Sequence, residues 1–88
     1  MVDVKENLGL LGLIVTDKVT HLKGVVTSMS FDLYGCVQAL VNPGVDTDGK
    51  LVDCYWFDVS RLTVSKQRAM PLPEFALDKG PERKPAFH

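Results

Sequence analysis

Two histidines, two cysteines and a scatter of aspartates are the side chains here whose types could do chemistry, and their spacing limits what that chemistry is. Nucleophilic catalysis needs a base beside a Ser, Thr or Cys. His21 is the one candidate base in the body of the chain, and it lies in a turn sequence, Thr20-His21-Leu22-Lys23-Gly24, that offers no recognisable orienting acid. A structural zinc site needs four ligands, and Cys36, Cys54, His21 and His88 follow no zinc spacing. Asp46-Thr47-Asp48-Gly49 begins like a calcium loop, but Lys50 stands where an oxygen ligand is wanted and no Glu follows at the twelfth position. Turn chemistry is the expectation there. Asp53 and Asp58 are five apart, so a regular strand would hold them on opposite faces, unsuited to paired-carboxylate chemistry. Asp58 is instead expected to cap the turn at Val59-Ser60. The reading is of a protein that is not an enzyme, with no catalytic residue, no metal ligand and no cofactor site.

Bulk composition points to one small domain. The chain has 88 residues, 45% of them hydrophobic and 24% charged, as in an ordinary globular protein. A domain of this size buries roughly 60% of its unfolded surface, so its core is small and self-association would help it. Ten basic and eleven acidic side chains leave a net charge of −1, with a pI near 6.0, which counts against nucleic acid as the main partner. Met1 to Glu6 shows no apolar stretch behind a basic one, and no window approaches the ~20 apolar residues of a membrane span. The expected location is the cytoplasm, or a virion, with no membrane partner. In such a compartment Cys36 and Cys54 are expected to be reduced and buried in strands as small hydrophobes.

The elements that would position these residues are strands. Residues 1–10 read as a lead-in, because Gly9 and Gly12 weaken a helix by about 1 kcal/mol each. Leu13–Asp17 is predicted as the first strand. Gly24 permits a turn, and Val25–Phe31 follows as the second strand, with Val25, Thr27, Met29 and Phe31 on one face and Val25, Met29 and Phe31 placed inside. Asp32-Leu33-Tyr34-Gly35 is a hairpin turn. Cys36–Asn42 forms the third strand, with Val37, Ala39 and Val41 inward. Val52–Asp58 forms the fourth. A single 3₁₀ turn over residues 58–62 then leads to a short fifth strand, Leu62–Val64. From Ser65 the prolines Pro71, Pro73, Pro81 and Pro85 preclude a ladder. The predicted fold is all-β, a small five-stranded barrel over residues 11–64 with a Pro-rich C-terminal tail over 65–88.

The run Tyr55-Trp56-Phe57 is the most suggestive surface feature. Alternate strand residues point opposite ways, so either Trp56 packs inward and its neighbours face out, or the reverse. With Trp56 filling the centre, Tyr55, Phe57, Leu10 and Leu11 would seek cover. Together with Tyr34 and Trp56 they make the candidate interaction surface. Lys18, Lys23, Arg61, Lys66 and Arg68 would form a local positive patch if Ser65–Arg68 lay beside the first turn.

The order of several short motifs resembles a known group. Leu11-Gly12, Val15-Thr16-Asp17-Lys18-Val19-Thr20, Gly24-Val25-Val26-Thr27, Leu33-Tyr34-Gly35-Cys36, Asp48-Gly49-Lys50 and Trp56-Phe57-Asp58 resemble small uncharacterised proteins of bacteriophages, prophages and mobile elements such as integron cassettes. The resemblance covers residues 11–64 and implies an SH3-like barrel of phage or mobile-element origin with no assigned chemistry. The sequence departs from the group's pattern at His21, where a Gly is usual, which bears on the tightness of the first turn. Plasmid-borne trimethoprim-resistant dihydrofolate reductases share the architecture and length, with a site built from a Val-Gln-Ile-Tyr strand at a tetramer pore. Here that strand reads Cys54-Tyr55-Trp56-Phe57, and the carry-over fails.

Three functions are therefore weighed. The first is a non-catalytic protein–protein interaction or assembly module whose partner is itself, as a homo-oligomer, or another phage or mobile-element protein. The second is a nucleic-acid-binding barrel stacking bases on Tyr34, Tyr55 or Trp56, with Lys18, Lys23 and Arg61 on phosphates. The third is an oligomeric enzyme with a site at a shared pore. Neutral charge favours the first.

Overall fold

A computed structural model describes residues 4–74, and the expectations for Pro81, Pro85 and His88 lie outside them. A short helix, α1 (Val4–Leu8), leads into five strands: β1 (Leu13–Asp17), β2 (Lys23–Phe31), β3 (Val37–Asn42), β4 (Tyr55–Asp58) and β5 (Leu62–Arg68). They form one antiparallel open sheet in the order β4-β3-β2-β1-β5. A 3₁₀ turn, Val59–Arg61, joins β4 to β5, which then returns across the sheet to pair with β1. The sequence placed β1 and this turn correctly. It missed α1, which ends just before Gly9, and it stopped β5 at Val64, four residues short of Arg68.

The core consists of Val15, Val26, Ala39, Val41, Phe57 and Leu62. Ala39 and Val41 are buried as alternation requires, but of the residues expected inside from β2 only Met29 packs against the core. Val26, not Val25, is buried, and Phe31 is exposed. A β-bulge between Val26 and Ser28 sets Val26 opposite Val41 and Met29 opposite Ala39, so Val26 takes the place expected of Val25, while Phe31 is exposed at the end of the strand. An extra residue in one strand flips the side-chain alternation beyond it. Val26 and Met29, three apart, therefore both serve the core.

Gly24 lies inside β2 rather than in a turn. A Cβ there would collide with the Asn42 carbonyl and the Val41 side chain, so its role is the close approach of β2 to β3. The reversal between β1 and β2 occurs instead at His21, whose φ is +66°. This is the left-handed region that glycine occupies without strain.

Two connections share one design. In Asp32-Leu33-Tyr34-Gly35-Cys36 the Asp32 carboxylate accepts the amides of Tyr34 and Cys36 at 2.9 and 2.8 Å. In Asp46-Thr47-Asp48-Gly49-Lys50 the Asp46 carboxylate accepts the amides of Asp48 and Lys50 at 2.8 and 3.0 Å. In each, a glycine at positive φ sits at the fourth position and donates to the aspartate carbonyl. The aspartate mimics a backbone turn with its own side chain. The carboxylate that suggested calcium is thus occupied by amides of its own loop.

Both cysteines depart from expectation. Cys36 closes the Asp32 turn and Cys54 precedes β4, so neither lies in a strand and both are exposed.

Candidate functional site

The geometry around the β1–β2 turn starts from Asp17, the last residue of β1. Its side chain is 1% exposed, and burying a carboxylate is costly unless it is paired. Arg61, at the end of the 3₁₀ turn, supplies the pair as a two-pronged fork: Nε donates to Oδ1 at 2.9 Å and Nη2 to Oδ2 at 2.7 Å. Thr20 adds its amide and hydroxyl to Oδ2 at 2.8 and 2.6 Å. The hydrogen bonds from Arg61 are the largest influence, and with those from Thr20 they outweigh burial and hold the Asp17 carboxyl far below the ordinary carboxylate range. The same pairing pushes the Arg61 guanidinium up. Lys18 strengthens the junction, its amide donating to the Arg61 carbonyl at 2.8 Å and its ammonium to the Ser60 carbonyl at 3.2 Å. The β1–β2 turn is thereby tied to the β4–β5 connection.

The Arg61 guanidinium also lies over the Phe57 ring, 5.3 Å from its centre. Phe57 is the inward member of the aromatic run, which corrects the placement of Trp56 in the core. Antiparallel pairing sets Phe57 opposite Ala39, the smallest buried core residue, which leaves room for a ring. Trp56 pairs with Leu40 on the other face and is 46% exposed, while Tyr55, at the start of this edge strand, is 54% exposed. These three aromatic residues with Thr20, His21, Leu22 and Arg61 line an apolar groove of about 450 Å³.

The other members of the candidate surface lie elsewhere. Tyr34 is 87% exposed at the tip of the β2–β3 turn. Leu10 and Leu11 are half-buried against the core, and Leu11 lines a second apolar groove, of about 330 Å³, with Val25, Val26, Met70 and Pro71. The positive patch does not form as pictured. Arg68 pairs with Leu13, at the far end of β1 from the turn, and its guanidinium donates to the Leu11 and Gly9 carbonyls at 2.7 and 2.8 Å. Asp58 does not cap the 3₁₀ turn; its carboxylate instead accepts from the Gln38 amide at 3.4 Å.

Among the described residues, no three His, Cys, Asp or Glu side chains gather where they could hold a metal ion. No helix among them is long and apolar enough to cross a membrane. The Asp17–Arg61 pair was not legible in advance, because its members are 44 residues apart and join only when β5 returns to β1. Its one signal was an aspartate closing an apolar strand immediately before a turn. Compared with family models, curated proteins and solved structures, the chain matches none of them.

Proposed function

We propose that this chain is a non-catalytic protein–protein interaction module, built as a small SH3-like barrel, whose groove between the β1–β2 turn and β4 holds an extended segment of little net charge from a partner protein. The observation that carries this reading is the exposed pair Tyr55 and Trp56 beside a guanidinium already neutralised by Asp17. Exposed Tyr and Trp in a concave apolar site mark the residues that dominate protein interfaces. A groove without free charge selects a segment of little net charge. The barrel part of the reading is supported by the strand order, the bulge in β2 and the 3₁₀ turn that returns β5 to β1. The resemblance to bacteriophage and mobile-element proteins supplies the setting, an assembly whose members provide the segment.

The nucleic-acid reading fits less well. Arg61 is committed to Asp17, Lys18 leans on the Ser60 carbonyl, and the net charge of −1 leaves few phosphates to neutralise. A pore enzyme would need a nucleophile held against a base, and although His21 lines the groove the hydroxyl beside it is already engaged. The Thr20 hydroxyl there already donates to Asp17 and accepts the Leu22 amide.

The test is to pan a displayed library of random peptides against the full chain and its Tyr55→Ala and Trp56→Ala variants. Apolar or proline-rich peptides should be enriched, with affinity lowered about 10-fold or more by either substitution. Enrichment indifferent to both residues, or none, rejects the groove. Submicromolar, steeply salt-dependent binding of labelled DNA or RNA would put the nucleic-acid reading first.

A further inference from the structure

We infer that the segment held by this groove is the C-terminal stretch, residues 75–88, of a second copy of this chain. The inference rests on the groove being a docking site and adds the identity of its occupant.

Composition is the first support. Pro81 and Pro85 fall in this stretch, accompanied by Phe75, Leu77 and Phe87. From Phe75 on, two acids (Asp78, Glu82) and three bases (Lys79, Arg83, Lys84) nearly cancel, which suits a groove without free charge. Proline-rich segments dock on aromatic-lined grooves because their extended form is set before binding and little entropy is lost.

Direction and reach are the second. β5 starts with Leu62 opposite Asp17, beside the groove, and ends with Arg68 opposite Leu13. The chain therefore leaves the sheet heading away from its own groove. The Ala69 amide, donating to the Gly12 carbonyl at 2.7 Å, pins that exit. Beyond it Pro71 and Pro73 bias the residues before them, Met70 and Leu72, toward extended backbone. Fourteen residues follow Glu74, and at about 3.1 Å each they span roughly 40 Å, enough to cross to a neighbouring molecule. Reciprocal exchange of two such segments closes the assembly as a two-fold dimer, the commonest symmetry for identical chains.

Sedimentation of the full chain across the micromolar range, with and without substitutions, tests this. Two variants alter the groove, Trp56→Ala and Tyr55→Ala, both at exposed positions outside the core. One alters the segment, Phe75→Ser combined with Pro81→Ala. The expected result is a dimer whose dissociation constant rises about 10-fold or more in all three. Mixing isotope-labelled with unlabelled chains should also give intermolecular contacts between the Trp56 ring and residues 75–88. A dimer indifferent to the segment variant overturns the inference, and so does a monomer or a set of purely intramolecular contacts. If the displayed peptides still bind in those cases, the docking groove stands and only its occupant is wrong. If they do not, both readings fall.

Discussion

The guanidinium of Arg61 grips the carboxylate of Asp17 at 2.9 and 2.7 Å, and this pair joins two connections that the sequence separates by 44 residues. One partner is buried and the other is 40% exposed. Removing only one member strands the other, and a stranded buried charge costs far more than the intact pair contributes. Arg61→Met, which leaves the buried Asp17 carboxylate without its partner, is expected to lower the melting temperature at neutral pH by on the order of 10 °C. Arg61→Lys, which loses the planar fork but keeps the charge, should fall between.

The same pair sets a dependence on acid. The folded chain holds the Asp17 carboxyl below its ordinary value of 3.8. A carboxyl with a lowered folded pKa adds stability above the unfolded value and loses it as pH falls toward the folded one. Melting temperature should therefore be level above about pH 5 and decline below about pH 4, with a shallower decline in Asp17→Asn. Calorimetry between neutral pH and pH 2 or so reads this directly. Equal slopes in the two proteins would assign the acid sensitivity to other groups.

Phe57 and Trp56 are neighbours with opposite duties. Phe57→Ala empties a core position against Ala39 and should cost about 3–5 kcal/mol, a large share of the stability of so small a domain. Trp56→Ala, on the outer face, should cost roughly 1 kcal/mol. Urea unfolding of both variants decides it. A Trp56 variant as damaged as the Phe57 variant would mean that the indole is structural.

His21 adopts a backbone conformation that costs an L-residue about 1–2 kcal/mol, partly offset for glycine by its own entropy. His21→Gly is expected to leave the protein at least as stable as the parent, with a gain of up to about 1 kcal/mol. His21→Val should lose at least that much, because a β-branched residue tolerates this φ least. Thermal melts of the two variants should therefore bracket the parent.

Cys36 and Cys54 should both react with a thiol reagent in the folded protein, since both are exposed. The Asp32 carboxylate, with smaller contributions from burial and Asp58, pushes the Cys36 thiol up, which lowers its thiolate fraction near neutral pH. Asp32→Asn keeps the oxygen that accepts the turn amides and removes the charge. It should speed labelling of Cys36 several-fold without changing that of Cys54. Mass spectrometry of the timed reaction follows both sites. An inert Cys36 in the native protein would contradict the exposed turn.

What the sequence by itself determined is local. Alternating apolar residues from Val37 to Val41 were enough to specify a half-buried strand, and Asp32–Gly35 and Asp46–Gly49 were legible as turns because their side chains satisfy their own backbones. The apolar run Leu13–Asp17 marked β1 to the residue. Tertiary structure decided everything that depends on register. The bulge after Val26 put Val26 rather than Val25 on the face that Met29 shares, a change of one residue that no alternation pattern announces. Whether Phe57 or Trp56 went inside depended on which of them met Ala39 across the ladder, and that pairing is set by a loop of twelve residues between β3 and β4. The need for Gly24 arises from the approach of Asn42, and the need for a charge on Asp17 from the return of β5. A strand's neighbours lie far away in sequence, so the groove exists only once the sheet has brought the first turn and the fourth strand together.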